Sequence, residues 1–351
     1  MEVLIVTDKN CYNPYPCELA QCISGKLTSG SITVDINEFL ESNSHFDIIH
    51  IQWIEEIFEW NNFNTEKFST LLKRIDYWKQ KGAAIVCTIH NILPHSIPRK
   101  SGFEIYRKVF QKTDLFIHLG EASKKMFQEM YGNALINSGR HVVIPHGLYS
   151  TFKKNVDKTR ARSYFGINEN DFVMLAFGRI RTCEEEKLIF DAYRALESKR
   201  KKVIVSNYKF SCNRLSRIIQ KTKLAVNKGV IARSGFVKKD MVPYYFAASD
   251  IVIIPRIEAL NSGNLLLGFF YEKVLTGPDS GVVGEILKET VNPVFVAHNK
   301  KSLSDAVNEA KRLAENTNKG YENFLFANKR YNWRVVSEMH LKAYESVIIN
   351  K

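Results

Sequence analysis

Phe46-Asp-Ile-Ile-His-Ile-Gln52 and Ala83-Ala-Ile-Val-Cys-Thr-Ile89 are two short apolar runs rich in β-branched residues. Such runs are typical of strands buried on both faces of a sheet. Between them, residues 65–81 carry apolar side chains at helical spacing, and Gly82 follows, as is common after a helix end. The apolar positions of this helix are Phe68, Leu71, Leu72, Ile75 and Trp78. A strand, a helix and a second strand predict a parallel pair with a crossover helix.

The same alternation continues in both directions along the chain. In the first half, further strands are predicted at 3–6, 31–36, 115–119 and 142–144, and further helices at 17–27, 103–111 and 122–130. The alternation restarts after a polar, basic stretch at 153–162. In the second half, strands are predicted at 172–177, 202–205, 230–233, 251–254, 274–277 and 293–296, and helices at 184–198, 211–222, 242–248, 265–271, 284–288 and 303–316.

This pattern predicts an α/β chain with two doubly wound parallel-sheet domains. A length of 351 residues agrees with two domains. We place the first at 1–150, the second at 151–330 and a terminal helix at 331–351. Ligands of such sheets bind at the carboxyl ends of the strands, so two facing domains would hold the site in the cleft between them.

Composition excludes several classes of protein. Hydrophobic residues make up 45% and charged residues 25% of the chain, as in a globular protein. No apolar run approaches the roughly 20 residues that a membrane span needs. The acidic Glu2 and the short apolar run after it are unlike a secretory signal, so we expect a cytoplasmic protein. Six cysteines without a C-x-x-C pair predict reduced thiols and no zinc site.

The net charge of +13 is concentrated in one segment. Residues 194–240 hold fourteen Lys or Arg against two acidic residues. A basic segment of this kind forms a solvated helix face, or attracts anionic lipid head groups or phosphorylated substrates. Nucleic acid is not the expected partner, because no nucleic-acid-binding motif accompanies the charges.

Four loops that follow predicted strands carry candidate functional residues. His90 can bind a sugar hydroxyl, act as a general acid or base, or cap a turn. Gly178 and Arg179 suit a phosphate, although surface arginines also form salt bridges. The loop 255–264 opens a helix, where free N–H groups favour a diphosphate or serve capping alone. In the loop 277–285, Asp279 and Glu285 can accept hydrogen bonds from hydroxyl groups, although turn chemistry explains its glycines equally well. The first strand is followed by neither a P-loop nor G-x-G-x-x-G, which argues against a kinase or a dehydrogenase.

Several short motifs, in this order, resemble one family. They are Asn13-Pro14-Tyr15, Ile49-His50-Ile51-Gln52-Trp53, Thr88-Ile89-His90-Asn91-Ile92-Leu93-Pro94-His95, Val143-Ile144-Pro145-His146-Gly147, Phe177-Gly178-Arg179-Ile180-Arg181, Gly235-Phe236-Val237, Asn261-Ser262-Gly263 and Asn332-Trp333. The chain is similar over nearly its whole length to GT-B glycosyltransferases of family 4. It most resembles the bacterial branch that builds capsular, exopolysaccharide or O-antigen glycans.

The resemblance implies transfer of a sugar, with retention, from a UDP- or GDP-linked donor to a glycan or a lipid-linked acceptor. It implies no metal and no cofactor, and it makes peripheral association with the inner membrane face an expectation. The residues expected at the reaction are His90, Arg179 and Glu258. Those expected to bind the donor are Asn91, Gly178, Arg181, Phe236, Val237, Asn261, Ser262, Gly263 and Asn264. Those expected on the acceptor side are Asn13, Tyr15, Trp53 and His95.

Three positions depart from the family pattern. The family places a lysine five residues after its phosphate-binding arginine, and here that position is Glu184. Its two glutamates, which hold the donor sugar and the ribose, correspond to Leu260 and Gly268, with Glu258 as the available substitute for the first. The alternative prediction is therefore a catalytically silent GT-B protein that binds nucleotide or glycan as the partner of an active transferase.

Overall fold

A computed structural model describes residues 1–10, 13–60, 63–94, 97–136, 139–209, 213, 215, 218, 220, 222, 228–257 and 259–349. The chain divides into two compact units, Met1–Gly147 with Tyr331–Lys351, and Leu148–Arg330. His95, Glu258 and most of the predicted helix at 211–222 lie outside the described residues.

The first unit is built on a six-stranded sheet in the order β2-β1-β3-β4-β5-β6, and all its strand pairs are parallel. The strands are β1 (Val3–Val6), β2 (Ile32–Val34), β3 (Ile48–Ile51), β4 (Ala84–Ile89), β5 (Leu115–His118) and β6 (Arg140–Val143). The helices are α1 (Tyr15–Ser24), α2 (Ile36–Glu41), a 3₁₀ helix (Ile54–Phe58), α3 (Thr65–Gln80), α4 (Arg99–Phe110) and α5 (Glu121–Ile136).

The second unit has its own six-stranded parallel sheet, in the order β12-β11-β10-β7-β8-β9. Its strands are β7 (Phe172–Ala176), β8 (Lys201–Val205), β9 (Val230–Ala232), β10 (Ile251–Ile253), β11 (Val274–Pro278) and β12 (Val294–Phe295). Its helices are α6 (Lys158–Phe165), α7 (Cys183–Ala195), a 3₁₀ helix (Lys239–Met241), α8 (Val242–Ala248), α9 (Gly263–Phe270), α10 (Gly281–Glu289), α11 (Lys300–Asn316) and α12 (Lys319–Arg330). The predicted fold class, two doubly wound parallel sheets, is confirmed.

Local capping explains where the structure departs from the predicted elements. The strand predicted at 31–36 ends at Val34, because the Asp35 side chain accepts a hydrogen bond from the Asn37 amide and starts α2. The helix predicted at 103–111 begins earlier, at Arg99, directly after Pro98. Helix α12 was not predicted, since its apolar residues do not form a regular buried stripe.

A terminal helix, α13 (Trp333–Ile348), completes the first unit. Asn332 caps its start by accepting from the Val335 amide. The Trp333 ring lies against Gly147, where an added Cβ would be 2.5 Å from ring atoms. The indole N–H of Trp333 donates to the buried Glu18 carboxylate at 2.7 Å. Gly147 is therefore needed for close packing of the C-terminal helix on this unit.

We expect Gly147→Ala to destabilise the protein by about 1 to 3 kcal/mol, the usual cost of overpacking a buried contact. Unfolding by heat and by urea measures the change. Gly25→Ala is the matched control, because Gly25 has φ −66° and the nearest atom to an added Cβ is 3.6 Å away. Equal stabilities for the two variants would contradict the packing role of Gly147.

Candidate functional site

One group of candidate residues lies at the carboxyl ends of β1, β3 and β4 in the first unit. The His90 ring stacks on Trp53, with centroids 4.3 Å apart and an interplanar angle of 21°. Tyr15 meets His90 edge-on at 5.5 Å and lies 4.2 Å from the His146 ring. The structure thus brings the predicted residues Tyr15, Trp53 and His90 together, next to His146.

Asn13 and Tyr15 have local roles in this group. The Asn13 side-chain oxygen accepts from the Tyr15 amide at 3.1 Å and so orders the start of α1. Tyr15 is fully buried, whereas a residue that contacts an acceptor needs exposure. In the structure Tyr15 therefore forms the wall behind His90, while Trp53 and His90 are partly exposed.

A buried polar network supports His90 from below. Gln52 Oε1 lies 3.0 Å from His90 Nε2, and the Gln52 amide nitrogen lies 3.2 Å from His50 Nε2. His50 in turn contacts Tyr344 Oη at 2.6 Å and Thr88 Oγ1 at 2.7 Å. Burial lowers the pKa of both His50 and His90 well below 6.5, so both rings are neutral at pH 7.

The neighbouring Asn91 is held by a buried carboxylate. Its amide nitrogen donates to Glu55 Oε1 at 3.3 Å, and Glu55 is 2% exposed. Burial and the contact with Glu55 raise the pKa of Tyr106 well above its usual value. Tyr106 therefore stays protonated and donates its hydroxyl to Glu55.

A second group lies in the loop between β7 and α7 of the second unit. Gly178 has φ +92°, a conformation that glycine adopts without strain, and its amide donates to Ser206 Oγ at 2.8 Å. Thr182 caps α7 by accepting from the Glu185 amide, while the Glu185 carboxylate accepts from the Arg181 amide at 2.7 Å. These two hydrogen bonds fix the loop, and the Arg179 and Arg181 side chains are exposed.

Arg256, shortly after β10, completes this group. Its guanidinium forms a buried ion pair with Glu185 at 2.7 Å and donates to the Arg179 carbonyl at 3.1 Å. Partial desolvation and the positive charge of Arg256 lower the pKa of Arg181 to about 10, so it remains charged at pH 7. Arg179, Arg181 and Arg256 thus bring three guanidinium groups to this loop, opposed by Glu184, Glu185 and Glu186 in the first turn of α7. Exposed guanidinium groups can bind an anion through paired hydrogen bonds.

The loop before α9 is tied to this group. The Asn264 amide donates to the Phe177 carbonyl at 2.6 Å, and an added Cβ on Gly178 would lie 3.0 Å from that amide. Gly281, at the start of α10, packs against the same loop before α9. It has φ +54°, and an added Cβ would be 2.1 Å from the Ala259 carbonyl. Asn264 therefore orders the loop that carries Arg179.

The remaining predicted residues of the second unit lie at the same sheet edge. Phe236 follows β9 and is 63% exposed, and Val237 beside it is partly buried. Asn261, Ser262 and Gly263 precede or begin α9 and are partly exposed. An added Cβ on Gly263 would lie 2.5 Å from the Tyr149 hydroxyl.

Several contributors to these groups were not predicted as site residues, among them Gln52, Glu55, Glu185 and Arg256. Gln52 comes directly after β3 and Arg256 follows β10 closely, so their places in the sequence were a usable signal. The spacing Thr182-x-x-Glu185 is a capping-box pattern and was a signal for Glu185. For Glu55, no sequence pattern marks its burial among Asn91 and Tyr106.

Neither a metal-binding cluster nor a membrane-spanning helix occurs among the described residues. No three or more His, Cys, Asp or Glu side chains among them are arranged to hold a metal ion. Among the helices formed by these residues, none combines the length and the apolar character that crossing a membrane requires.

The chain aligns over almost its whole length with several solved structures. The chain aligns with sucrose-phosphate synthase from Thermosynechococcus elongatus at 12% identity and a TM-score of 0.74, covering 100% of this chain and 99% of that one. It aligns with Anabaena HepE in complex with UDP at 14% identity and a TM-score of 0.71, covering 99% of this chain and 100% of that one. It aligns with a glycosyltransferase from Rickettsia africae at 14% identity and a TM-score of 0.69, covering 100% of this chain and 99% of that one.

The chain has the GT-B fold. This is the fold shared by the glycosyltransferases to which it aligns, over almost all of each chain. No protein-family model matches the chain, and no curated protein matches it. Within the GT-B fold, the two groups of candidate residues occupy the carboxyl ends of the strands in both sheets, where ligands of doubly wound sheets bind.

Because histidines are buried in the first unit, we expect the free energy of unfolding to fall in acid. Burial lowers the pKa of His340 to about 4, against about 6.5 in an unfolded chain. Between these values the unfolded state binds more protons, so the free energy of unfolding falls as the pH falls from 6.5 towards 4. His340→Phe removes this group and should reduce the slope by up to about 1.4 kcal/mol per pH unit.

Urea unfolding at pH 7, 6 and 5 measures this slope, and the change with pH is compared rather than the absolute stability. His340 packs beside His50 and Tyr344, so the lost ring contacts affect the variant at every pH. The same pH dependence in both proteins would show that His340 does not titrate as expected.

Proposed function

We propose that this protein is a glycosyltransferase that moves a sugar from a nucleotide-diphosphate sugar to a growing polysaccharide or a lipid-linked oligosaccharide. The donor is UDP- or GDP-linked, and the sugar keeps its anomeric configuration. The leaving diphosphate is neutralised by side chains of the protein rather than by a metal ion. The protein acts in the cytoplasm of a bacterium, with its acceptor at the inner face of the membrane.

The observation that carries this proposal is the arginine group of the second unit. Arg179 and Arg181 extend from a loop that is fixed by Glu185 and by the Arg256 guanidinium. Guanidinium groups bind phosphate oxygens through paired hydrogen bonds, and a positioned cation stabilises charge that develops on a leaving group. A diphosphate matches both the exposed guanidinium groups and their place at the strand ends.

The neighbouring structures support the nucleotide part of the proposal. HepE was crystallised with UDP-glucose, and a trehalose-6-phosphate protein of Escherichia coli, with a TM-score of 0.65, with UDP-2-fluoro glucose. In the first unit, Trp53 and the neutral His90 offer an aromatic face and an imidazole nitrogen, which suit a sugar ring and its hydroxyl groups.

The membrane part of the proposal is supported by the basic segment 194–240. Lys199 and Arg200 are exposed at its start. Lys201 and Lys202 donate to backbone carbonyls of their own unit, of Leu196 and Lys228 respectively. Basic residues near an anionic surface contribute about 1 kcal/mol each, so the exposed ones favour peripheral association.

Arg179→Ala tests the diphosphate contact. Calorimetry with UDP and GDP should show binding weakened by about 1.5 to 3 kcal/mol, the range for a hydrogen bond to a charged group. Uridine and guanosine lack phosphates, so their weaker binding should stay unchanged. Arg312→Ala is the control, since Arg312 pairs with Glu309 on α11. Equal affinity of the wild type and Arg179→Ala for both diphosphates would exclude Arg179 from the site.

A catalytically silent GT-B protein is the second candidate, and one observation favours it. Gly268 is buried in α9, where an added Cβ would lie 2.8 Å from the Leu275 side chain. A glutamate, which the family has at this position, would not fit this packing. The ribose contact expected from the resemblance is therefore missing, and Glu184 adds a negative charge where the family has a lysine.

Turnover distinguishes the two candidates. Radiolabelled UDP- and GDP-sugars are incubated with the protein and a panel of glycan and lipid-linked acceptors, and both transfer and donor hydrolysis are measured. The enzyme should release nucleotide diphosphate at a rate that Arg179→Ala lowers. Saturable UDP or GDP binding with no release across the panel would favour the silent partner.

A further inference from the structure

Gln52 connects the candidate site to the interior of the first unit. It is the first residue after β3 and is 2% exposed. Its side chain lies between two histidines, with Oε1 3.0 Å from His90 Nε2 and the amide nitrogen 3.2 Å from His50 Nε2 and 3.4 Å from His50 Nδ1. Both ends of one buried amide are thus engaged by imidazole rings.

The surroundings of His50 fix which way this amide points. His50 is completely buried, and its two ring nitrogens already contact Tyr344 Oη and Thr88 Oγ1. An N–H group next to a neutral, electron-rich imidazole is attracted to it, whereas an amide oxygen in the same place would be repelled. The amide oxygen of Gln52 therefore faces His90.

This orientation decides the protonation of His90. An amide oxygen only accepts hydrogen bonds, so the His90 nitrogen that it contacts has to carry the proton. A neutral imidazole carries one proton, which leaves Nδ1 unprotonated. The stacking of His90 on Trp53 keeps the ring in the plane that this hydrogen bond needs.

We propose that Gln52 is a positioning residue that holds His90 in the Nε2–H tautomer, so that His90 serves the site as a neutral ring and not as a general acid. The inference deepens the proposed function, because it chooses between the roles that a histidine at a strand end can take. It concerns the state of His90 itself, so it is tested without any nucleotide or sugar.

The test is two-dimensional ¹⁵N–¹H NMR of the full chain labelled with ¹⁵N-histidine, at pH 7. His90→Asn identifies the His90 signals. In the wild type we expect an Nε2–H pattern, with Nε2 protonated and Nδ1 not. A wild-type Nδ1–H pattern, or a protonated ring, overturns the proposal whatever the variants do.

Two variants then test whether Gln52 is the cause. Gln52→Leu removes the acceptor at nearly constant size, and the Nε2–H pattern should give way to a mixture of tautomers. Gln52→Glu keeps an oxygen next to Nε2, so the Nε2–H pattern should persist and the pKa of His90 should rise, because a carboxylate favours the charged ring.

Thr88→Val is the matched control, since it removes a buried hydroxyl that contacts His50 but leaves Gln52 in place. It should leave the His90 pattern unchanged. An unchanged pattern in Gln52→Leu, or the same loss in Thr88→Val, would show that Gln52 does not set the tautomer.

Activity provides a second readout if transfer is found. Gln52→Leu should lower kcat and leave the affinity for UDP or GDP unchanged, and Gln52→Glu should restore part of the rate. A loss of nucleotide affinity equal to the loss of rate would contradict a positioning role. Failure of the proposed function itself would appear as absent nucleotide binding, with the His90 tautomer unaffected.

Discussion

Parallel strand pairing is the constraint on which both candidate sites depend. All strand pairs described in the two sheets are parallel, so every strand of a sheet ends at the same edge. A crossover helix must return the chain after each strand, and the first residues of each connection collect at that edge. Residues as distant in sequence as Tyr15, Trp53 and His90 become neighbours in this way. The same geometry brings Arg179 and Arg256 together after β7 and β10.

Buried carboxylates then fix the connections in place. Glu185, Glu55 and Glu18 are each at most 5% exposed, and each accepts hydrogen bonds from groups in other segments. A buried carboxylate without partners is strongly destabilising, so each of these residues constrains where its partners lie. Removing one partner would leave an uncompensated charge.

The sequence predicts secondary-structure elements whose pattern is local. It does not predict side-chain contacts between residues that are distant in sequence. Helix α3 is found within one residue of its predicted end, because the apolar stripe and Gly82 are contiguous in sequence. The rings around His90 follow from strand ends and were predicted, but Glu55 and Gln52 act through contacts made only after folding. Tyr15 shows the same limit, since its burial against His146 and Trp333 depends on a helix more than 300 residues away.

The two groups of residues differ in charge, and this difference follows from their surroundings. In the first unit, burial keeps His50, His90 and His146 neutral, with the pKa of His146 lowered to about 4. In the second unit, guanidinium groups remain charged even when partly desolvated, because their pKa starts far above neutrality. Burial thus removes charge from the first group, whereas the second group keeps its charge. The first group therefore suits neutral, hydroxyl-rich ligands, and the second suits anionic ones.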